Sequence, residues 1–262
     1  MKKILKKIKG AYQKGFKYTT SYVYWHSKFF IFRLLKIKIV TTRYGVKCYS
    51  DYDDATFKYY FIGTYGFFYS NFLKYYPTDF IFIDVGANKG LYSLIAGRSK
   101  NCIKIISFEP IQSTFNHLEK NCLMNNILHK CDLHNFAISD TNEKRDISFN
   151  KYHTGIASLA VSNENKHSQI ISINSINKTK LNNLIDHTHN DYIVKIDVEG
   201  FELTVIRELL KCDFANSITN IFYEVDERWM SPIPLEKILS EYGFNNFEKD
   251  GTGTHYNVMA TR

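Results

Sequence analysis

Short apolar runs along the chain alternate with stretches in which apolar residues recur every three or four positions. The runs predict strands at residues 81–85, 104–108, 133–138, 192–197 and 218–225. The helical pattern predicts helices at residues 91–98, 113–125, 181–185, 202–210 and 234–242. Strands that alternate with helices favour an α/β fold with a mostly parallel sheet and helices on both faces.

Two more strands are predicted near the end of the chain, around Phe247 and at residues 256–260. A glycine-containing tight turn at residues 251–253 joins them, so the last strand must run antiparallel. The prediction is one domain, residues 78–262, built on a seven-stranded sheet. Short alternating runs at residues 145–174 indicate a β-rich insertion within that domain.

The first part of the chain, residues 1–77, is predicted to be an extension packed on this domain. Its pattern at residues 36–49 is typical of a hairpin that turns at Gly45. An aromatic-rich helical stretch follows at residues 57–76 and ends at Pro77.

The basic character of the chain is concentrated in this extension. The net charge is +8, yet the first fifty residues hold thirteen Lys and Arg and no Asp or Glu, and the remainder is mildly acidic. Apolar positions at residues 4–16 recur at helical spacing among the lysines, which predicts an amphipathic basic helix. That helix either packs on the domain with a solvated face or attaches to an anionic membrane surface or an acidic partner.

Cysteine usage and hydropathy bear on localisation. The five cysteines are scattered without C-x-x-C spacing, which argues against a disulfide framework and a zinc site. No clean signal peptide follows the basic start. The most apolar stretch, residues 29–40, is interrupted by Arg33, Lys36 and Lys38 and is unable to span a bilayer. We expect a cytoplasmic protein, with peripheral attachment at the inner membrane face as the alternative.

One loop carries the first candidate chemistry. Residues 82–90 read F-I-D-V-G-A-N-K-G, where a strand ends and a helix begins. Gly86 lets the backbone turn sharply, and Gly90 opens the helix without a Cβ atom in the way. A dinucleotide fingerprint would have a third glycine, and the candidate position here is Ser93.

Two acids make this loop a candidate cofactor site. Glu109 ends the next predicted strand, 25 residues after Asp84, where a carboxylate can accept both hydroxyls of a ribose. Asp84 beside the glycines suits a cationic ligand better than a pyrophosphate, and S-adenosylmethionine carries a sulfonium and an ammonium. The simpler alternative is that both acids only cap helices.

A second acidic group follows the strand predicted at residues 192–197. The chain reads I-V-K-I-D-V-E-G-F-E-L and places Asp197, Glu199 and Glu202 at one strand end. Three carboxylates need solvent, Lys195, a metal or a polar substrate to compensate them. A solvated helix N-terminus is the alternative, and it accounts for Glu202 better than for Asp197.

These motifs resemble the FkbM family of S-adenosylmethionine-dependent methyltransferases. The matching pieces are F-I-D-V-G-A-N-K-G, S-F-E-P, F-A-I-S-D and K-I-D-V-E-G-F-E-L, within about residues 80–223. The resemblance implies a Rossmann-like class I methyltransferase fold. It also implies O-methylation, commonly of sugars or other secondary metabolites.

The resemblance also implies residue roles. Asp197 would face the reacting centre, Glu109 would hold the ribose, and the region of Ala137 would lie near the adenine. The cofactor-binding set it implies is Asp84, Gly86, Ala87, Asn88, Gly90, Glu109, Pro110, Ala137 and Asp197.

A sugar hydroxyl is a poor nucleophile while protonated, so a general base or a metal is expected. Asp197 is the first choice by position, with Glu199 beside it; His153 and His255 are alternatives, because an imidazole titrates near neutrality. No metal is predicted, and a divalent ion shared by Asp197, Glu199 and Glu224 is the alternative.

The predicted partner is a sugar or glycan, such as a bacterial surface polysaccharide or its precursor. The aromatic residues at 59–76 either stack on sugar rings or pack in the core. No nucleic acid is expected, because D-V-E-G stands where amino-methylating enzymes carry an [N/D]-P-P-[Y/F] turn and its charge repels phosphate. The alternatives are a nucleic-acid methyltransferase, an NAD-dependent oxidoreductase and a non-catalytic S-adenosylmethionine-binding scaffold.

Overall fold

The computed structural model describes residues 16–156, 169–186, 191–228 and 231–262. The chain divides into two compact units between Phe67 and Phe68, whereas the sequence pattern places the boundary after Pro77.

Within residues 16–67, the first unit contains two helices and a two-stranded hairpin. Their bounds are α1 Phe16–Leu34, β1 Ile39–Thr41, β2 Lys47–Tyr49 and α2 Ala55–Ile62. The hairpin is antiparallel as predicted, and Gly45 takes a φ of +81° at its turn. The helix predicted at residues 4–16 lies outside the described residues, apart from Phe16.

An aromatic cluster forms the core of this unit. The rings of Trp25, Phe29 and Phe32 on α1 all contact Phe61 of α2, with centroids 5.5–5.8 Å apart. Asp54 caps α2 by accepting hydrogen bonds from two backbone N–H groups of its first turn. These ring contacts hold α1 and α2 together.

The prediction of a single helical stretch at residues 57–76 was wrong. The structure has two helices there, α2 and α3 Phe68–Tyr75. Gly63 ends α2 in a left-handed conformation with a φ of +74°, and Gly66 follows with a φ of +72°. Two left-handed residues three positions apart stop a right-handed helix.

The second unit begins with α3 and is an α/β domain. Its remaining elements, in chain order, are β3 Phe80–Val85, α4 Leu91–Gly97, β4 Cys102–Phe108, α5 Gln112–Met124, β5 Cys131–His134, β6 Ala137–Ile138, β7 Lys144–Phe149, β8 Gln169–Ile176, α6 Lys178–Leu184, β9 Tyr192–Ile196, α7 Glu202–Leu210, β10 Ile218–Asp226, α8 Ile233–Glu241, β11 Asn246–Asp250 and β12 His255–Thr261.

Seven strands form the central sheet, in the order β11-β12-β10-β9-β3-β4-β5. Only β12 runs against its neighbours, as the sequence predicted for the last strand. All six residues of β3 are buried, as expected for a central parallel strand covered on both faces. Because β3, β9 and β10 are adjacent and parallel, the loops after them meet at one edge of the sheet.

The single strand predicted at residues 133–138 was also wrong. The chain leaves the central sheet after β5, and β6 joins a second, three-stranded sheet in the order β6-β8-β7. Asn135 lies at the break, where its side-chain amide donates to the carbonyl oxygens of Glu109 and Pro110 at 2.8 and 3.0 Å. These contacts turn the chain away from the sheet.

Among the helices of the described residues, none combines the length and apolar character needed to cross a lipid bilayer.

Candidate active site

The loop after β3 requires glycine where it passes the end of β9. Gly86 has a φ of +73°, and a Cβ atom there would lie 1.9 Å from the carbonyl oxygen of Asp197. Gly90 has a φ of +89°, and its Cβ would lie 2.5 Å from a methyl carbon of Leu118. The two glycines therefore let the loop pack against β9 on one side and α5 on the other.

Asp84 points into the protein. Its side chain is 1% exposed, and its Oδ2 accepts hydrogen bonds from the backbone N–H and the hydroxyl of Ser93 at 3.0 and 2.5 Å. Burial raises the pKa of Asp84, and the charge of Lys195 opposes that rise. Asp84 thus fixes the first turn of α4, and its contact with a bound molecule stays a prediction.

Glu109 joins the loops after β3 and β4. Its two carboxylate oxygens accept the backbone N–H groups of Asn88 and Ile111, each at 2.9 Å. Burial raises the pKa of Glu109 to about 7, although these two hydrogen bonds lower it. Asn88 takes a φ of +52° to present its N–H group. Each oxygen of Glu109 keeps a second lone pair for another donor.

The remaining residues of the implied cofactor set lie around these two loops. Ala87 is buried, and its N–H donates to the carbonyl oxygen of Phe108 at 3.0 Å. Pro110 lines an open cavity of about 370 Å³ between the start of α5 and strands β7 and β8. Ala137 packs against a small apolar cluster that includes Ile111.

A buried lysine connects the two acidic strand ends. Lys195 lies opposite Asp84 in the pairing of β9 with β3. Its Nζ is 3.1 Å from Oδ2 of Asp197 and 3.9 Å from Oδ1 of Asp84. Burial works against the charged ammonium, but the carboxylates of Asp197 and Asp84 outweigh it and raise the pKa of Lys195.

Three carboxylates converge on the solvent side of this lysine. Oxygen atoms of Asp197, Glu199 and Glu224 all lie within 4.8 Å of one another. Burial, followed by the charges of Asp197 and Glu224, raises the pKa of Glu199 to about 9. Glu199 also has a φ of +51°, in the left-handed region that disfavours a side chain of its kind. We call these three residues the acidic triad.

A histidine from the last strand reaches the triad. Nε2 of His255 lies 2.6 Å from Oε1 of Glu224, because β12 pairs with β10 in antiparallel register. Burial raises the pKa of Glu224 to about 7, and the hydrogen bond to His255 opposes that rise. The neighbour of His153, Thr154, donates to Oδ1 of Asn88 at 3.2 Å, which places His153 beside the loop after β3.

Some residues of this edge had no clear signal in the sequence. Tyr69 is 2% exposed and stacks on Phe222 with ring centroids 4.0 Å apart, so this tyrosine packs in the core. The ring of Tyr92 lies 5.3 Å from Nζ of Lys195. The sequence around an aromatic residue does not indicate which side chain its ring will contact.

Comparison with known proteins identifies the family of this chain. Residues 84–245, more than half of the chain, match the model of the family described as Methyltransferase FkbM domain. The matched range holds Glu109 and the acidic triad, whereas His255 lies beyond it. No curated protein sequence matches the chain significantly.

Several solved structures are similar in fold. The METTL16 MTase domain (crystal form 2) is 12% identical, with 92% of this chain and 91% of that chain covered and a TM-score of 0.49. The putative transferase PH0793 from Pyrococcus horikoshii is 14% identical, with 87% and 78% covered and a TM-score of 0.48. For aTrm5 in its complex with tRNALeu, the identity is 12%, the coverage 85% and 51%, and the TM-score 0.48. This chain thus spans about half the length of aTrm5.

Proposed function

This chain belongs to the FkbM family of methyltransferases, and from that premise we propose that it methylates a hydroxyl of a sugar or glycan. S-adenosylmethionine is the methyl donor. The observation that carries the proposal is the meeting of the acidic triad with His255 beside the loop after β3.

The donor set at this edge fits S-adenosylmethionine. Glu109 offers lone pairs suited to the two hydroxyls of a ribose. The acidic triad supplies negative charge suited to a cationic ligand. Two buried polar atoms, Oδ1 of Asp84 and the hydroxyl oxygen of Tyr69, have no hydrogen-bond partner within the described residues. Both atoms can therefore still form a hydrogen bond to a bound ligand. When bound, S-adenosylmethionine supplies an electrophilic methyl carbon on a positively charged sulfur.

His255 is the residue we assign as general base. With Nε2 donating to Glu224, Nδ1 carries the lone pair that can take the proton of the acceptor hydroxyl. Glu224 then stabilises the imidazolium that forms, as a carboxylate does in other histidine dyads. Asp197, the first choice from the sequence, already forms an ion pair with Lys195, with Nζ and Oδ2 3.1 Å apart. We assign Asp197 to orienting the acceptor hydroxyl.

A neutral polyhydroxyl acceptor suits the charge of this edge. The carboxylates of Asp197 and Glu224 would repel a phosphate brought to the reacting position. A sugar hydroxyl has no such charge and can donate a hydrogen bond to Asp197. The family resemblance points to the same acceptor class.

The first test is calorimetric titration with S-adenosylhomocysteine and, separately, with NADH. We expect micromolar binding of the first, none of the second, and loss of binding in Glu109→Ala. Glu208→Ala is the matched control, because Glu208 is also buried and also accepts a backbone N–H group, on α7. Binding of NADH instead would overturn the cofactor assignment.

The second test concerns the acceptor. Methyl transfer from labelled S-adenosylmethionine would be measured to neutral glycans and to RNA under the same conditions. We expect label on a glycan hydroxyl. Label on RNA alone would favour a nucleic-acid methyltransferase, and cofactor binding without transfer to any glycan would favour a non-catalytic scaffold.

A further inference from the structure

Helix α1 leaves one apolar face uncovered in the first unit. Phe30 is 67% exposed and Leu34 is 71% exposed, although the helix buries Phe29 against α2. The large apolar side chains exposed on α1 and just after it are Val23, Tyr24, Phe30, Ile31, Leu34 and Leu35.

These residues share one side of the helix. Starting from Val23, positions seven and eleven residues later are Phe30 and Leu34, and Tyr24 is related to Ile31 and Leu35 in the same way. The hairpin exposes two more apolar side chains, Ile39 and Tyr49, which are direct partners across β1 and β2. An apolar surface of this size is unusual on a protein that meets only water.

Positive charge accompanies this surface. Lys36 and Lys38 are exposed directly after α1, and Lys47 is exposed on β2. The first acid of the chain is Asp51, and exposed Asp53 forms an ion pair with Arg33 at 3.0 Å. The apolar side chains and the three lysines together are called the apolar-basic face.

We propose that the apolar-basic face binds the surface of an anionic phospholipid bilayer. Apolar side chains of an interfacial helix enter the boundary between headgroups and acyl chains, and lysines add attraction to anionic lipids. A second copy of the chain fits this face less well, because the lysines of the two copies would face each other. The proposal does not depend on the reaction catalysed.

Vesicle sedimentation with the full chain tests the proposal. Vesicles of phosphatidylcholine with 30% phosphatidylglycerol, on the order of the anionic content that supports such binding, are compared with pure phosphatidylcholine. We expect binding to the anionic vesicles that weakens steeply with salt. Phe30→Ser/Leu34→Ser and Lys36→Gln/Lys38→Gln should each weaken it by on the order of tenfold or more.

Leu123→Ser is the matched control, since Leu123 is 62% exposed on α5 of the second unit and should not contribute. Circular dichroism of each variant checks the fold, which these exposed positions should not disturb. Absence of binding to anionic vesicles, or binding that both double variants retain, would overturn the proposal. A concentration-dependent dimer in sedimentation velocity that Phe30→Ser/Leu34→Ser abolishes, without vesicle binding, would assign the face to a second copy instead.

Discussion

Gly86 and Asp197 belong to different strand ends, yet a Cβ atom on Gly86 would lie 1.9 Å from the carbonyl oxygen of Asp197. The backbone N–H of Asp197 donates to the carbonyl oxygen of Val85 at 3.1 Å, which holds the two loops at this separation. The loop that carries the candidate cofactor contacts is therefore packed directly against the loop that carries Asp197 and Glu199.

We expect Gly86→Ala to destabilise the fold by about 3 kcal/mol or more, because it combines a backbone clash with a strained φ. Gly200→Ala is the control: its φ is +94°, but a Cβ there would meet nothing within 4 Å, so about 1 kcal/mol is expected. Urea unfolding measures both. Equal losses would show that the contact with Asp197 is not what requires glycine at residue 86.

Replacing Lys195 should be costly. Lys195→Met leaves Asp84 buried without its nearby cation, and breaking a buried pair in this way costs about 3–5 kcal/mol. Lys104→Met removes a pair with Asp132 that is partly exposed, and should cost about 1 kcal/mol or less. Chemical unfolding compares the two variants. A small loss in Lys195→Met would mean that a proton on Asp84 replaces the missing charge.

The identity of the base is open to a kinetic test. We expect His255→Gln to lower kcat by on the order of 100-fold or more while cofactor affinity stays within a few fold. His129→Gln, at an exposed histidine outside the site, should have no effect. If Asp197→Asn abolishes turnover and His255→Gln does not, Asp197 is the base, as the sequence first indicated.

The raised pKa values make stability depend on pH. The pKa of Glu109 is about 7 and that of Glu199 about 9, so the folded chain holds protons that an unfolded glutamate, with its ordinary value of 4.5, has released. The free energy of unfolding must fall as the pH rises from 4.5 through these values. We expect the melting temperature to drop by about 10 °C or more between about pH 5 and pH 8.

Scanning calorimetry of two variants identifies the source of that slope. Glu199→Gln cannot ionise, and it should flatten the decline above about pH 7. Glu119→Gln, at an exposed position of α5, should leave the slope unchanged. A flat profile in the unmodified chain would contradict the raised pKa values.

The acidic triad also permits a test for a metal. Its oxygen atoms lie within 4.8 Å of one another, a spacing that a divalent cation could bridge. We expect turnover to survive chelation by EDTA, because the proposed general base is His255, which contacts Glu224, and a base that removes the hydroxyl proton makes a metal unnecessary. Activity that EDTA removes and Mg²⁺ restores, with Mn²⁺ binding that Asp197→Asn abolishes, would establish the metal alternative.

Local patterns in the sequence were enough to predict the strand ends at which the candidate site lies. A buried strand followed by an acid and glycine locates Asp84 and Asp197, and the β3, β9 and β10 ends do meet at one edge. The hydrogen-bonding of Asp84 to Ser93 was not readable, because nothing local says whether a carboxylate at a strand end turns outward or inward.

Contacts between distant residues account for the elements that the pattern placed wrongly. Residues 133–138 read as one apolar strand, but the break at Asn135 depends on carbonyl groups about 25 residues earlier in the chain. The pairing of His255 with Glu224 likewise depends on β12 lying next to β10. The order of strands in a sheet is not visible in the local pattern of apolar residues. Gly63 and Gly66, by contrast, were visible in the sequence as signals that end a helix.

The position of β12 has a consequence for how this domain folds. β12 fills the place between β10 and β11, although it is made after both of them. During synthesis, β10 therefore waits with one edge unpaired until residues 255–261 emerge, and β11 has no strand to pair with before then. An unpaired edge of β10 can associate with other chains until β12 covers it. Because β12 also carries His255, the pairing of β12 with β10 protects this edge and brings His255 to the candidate site in one step.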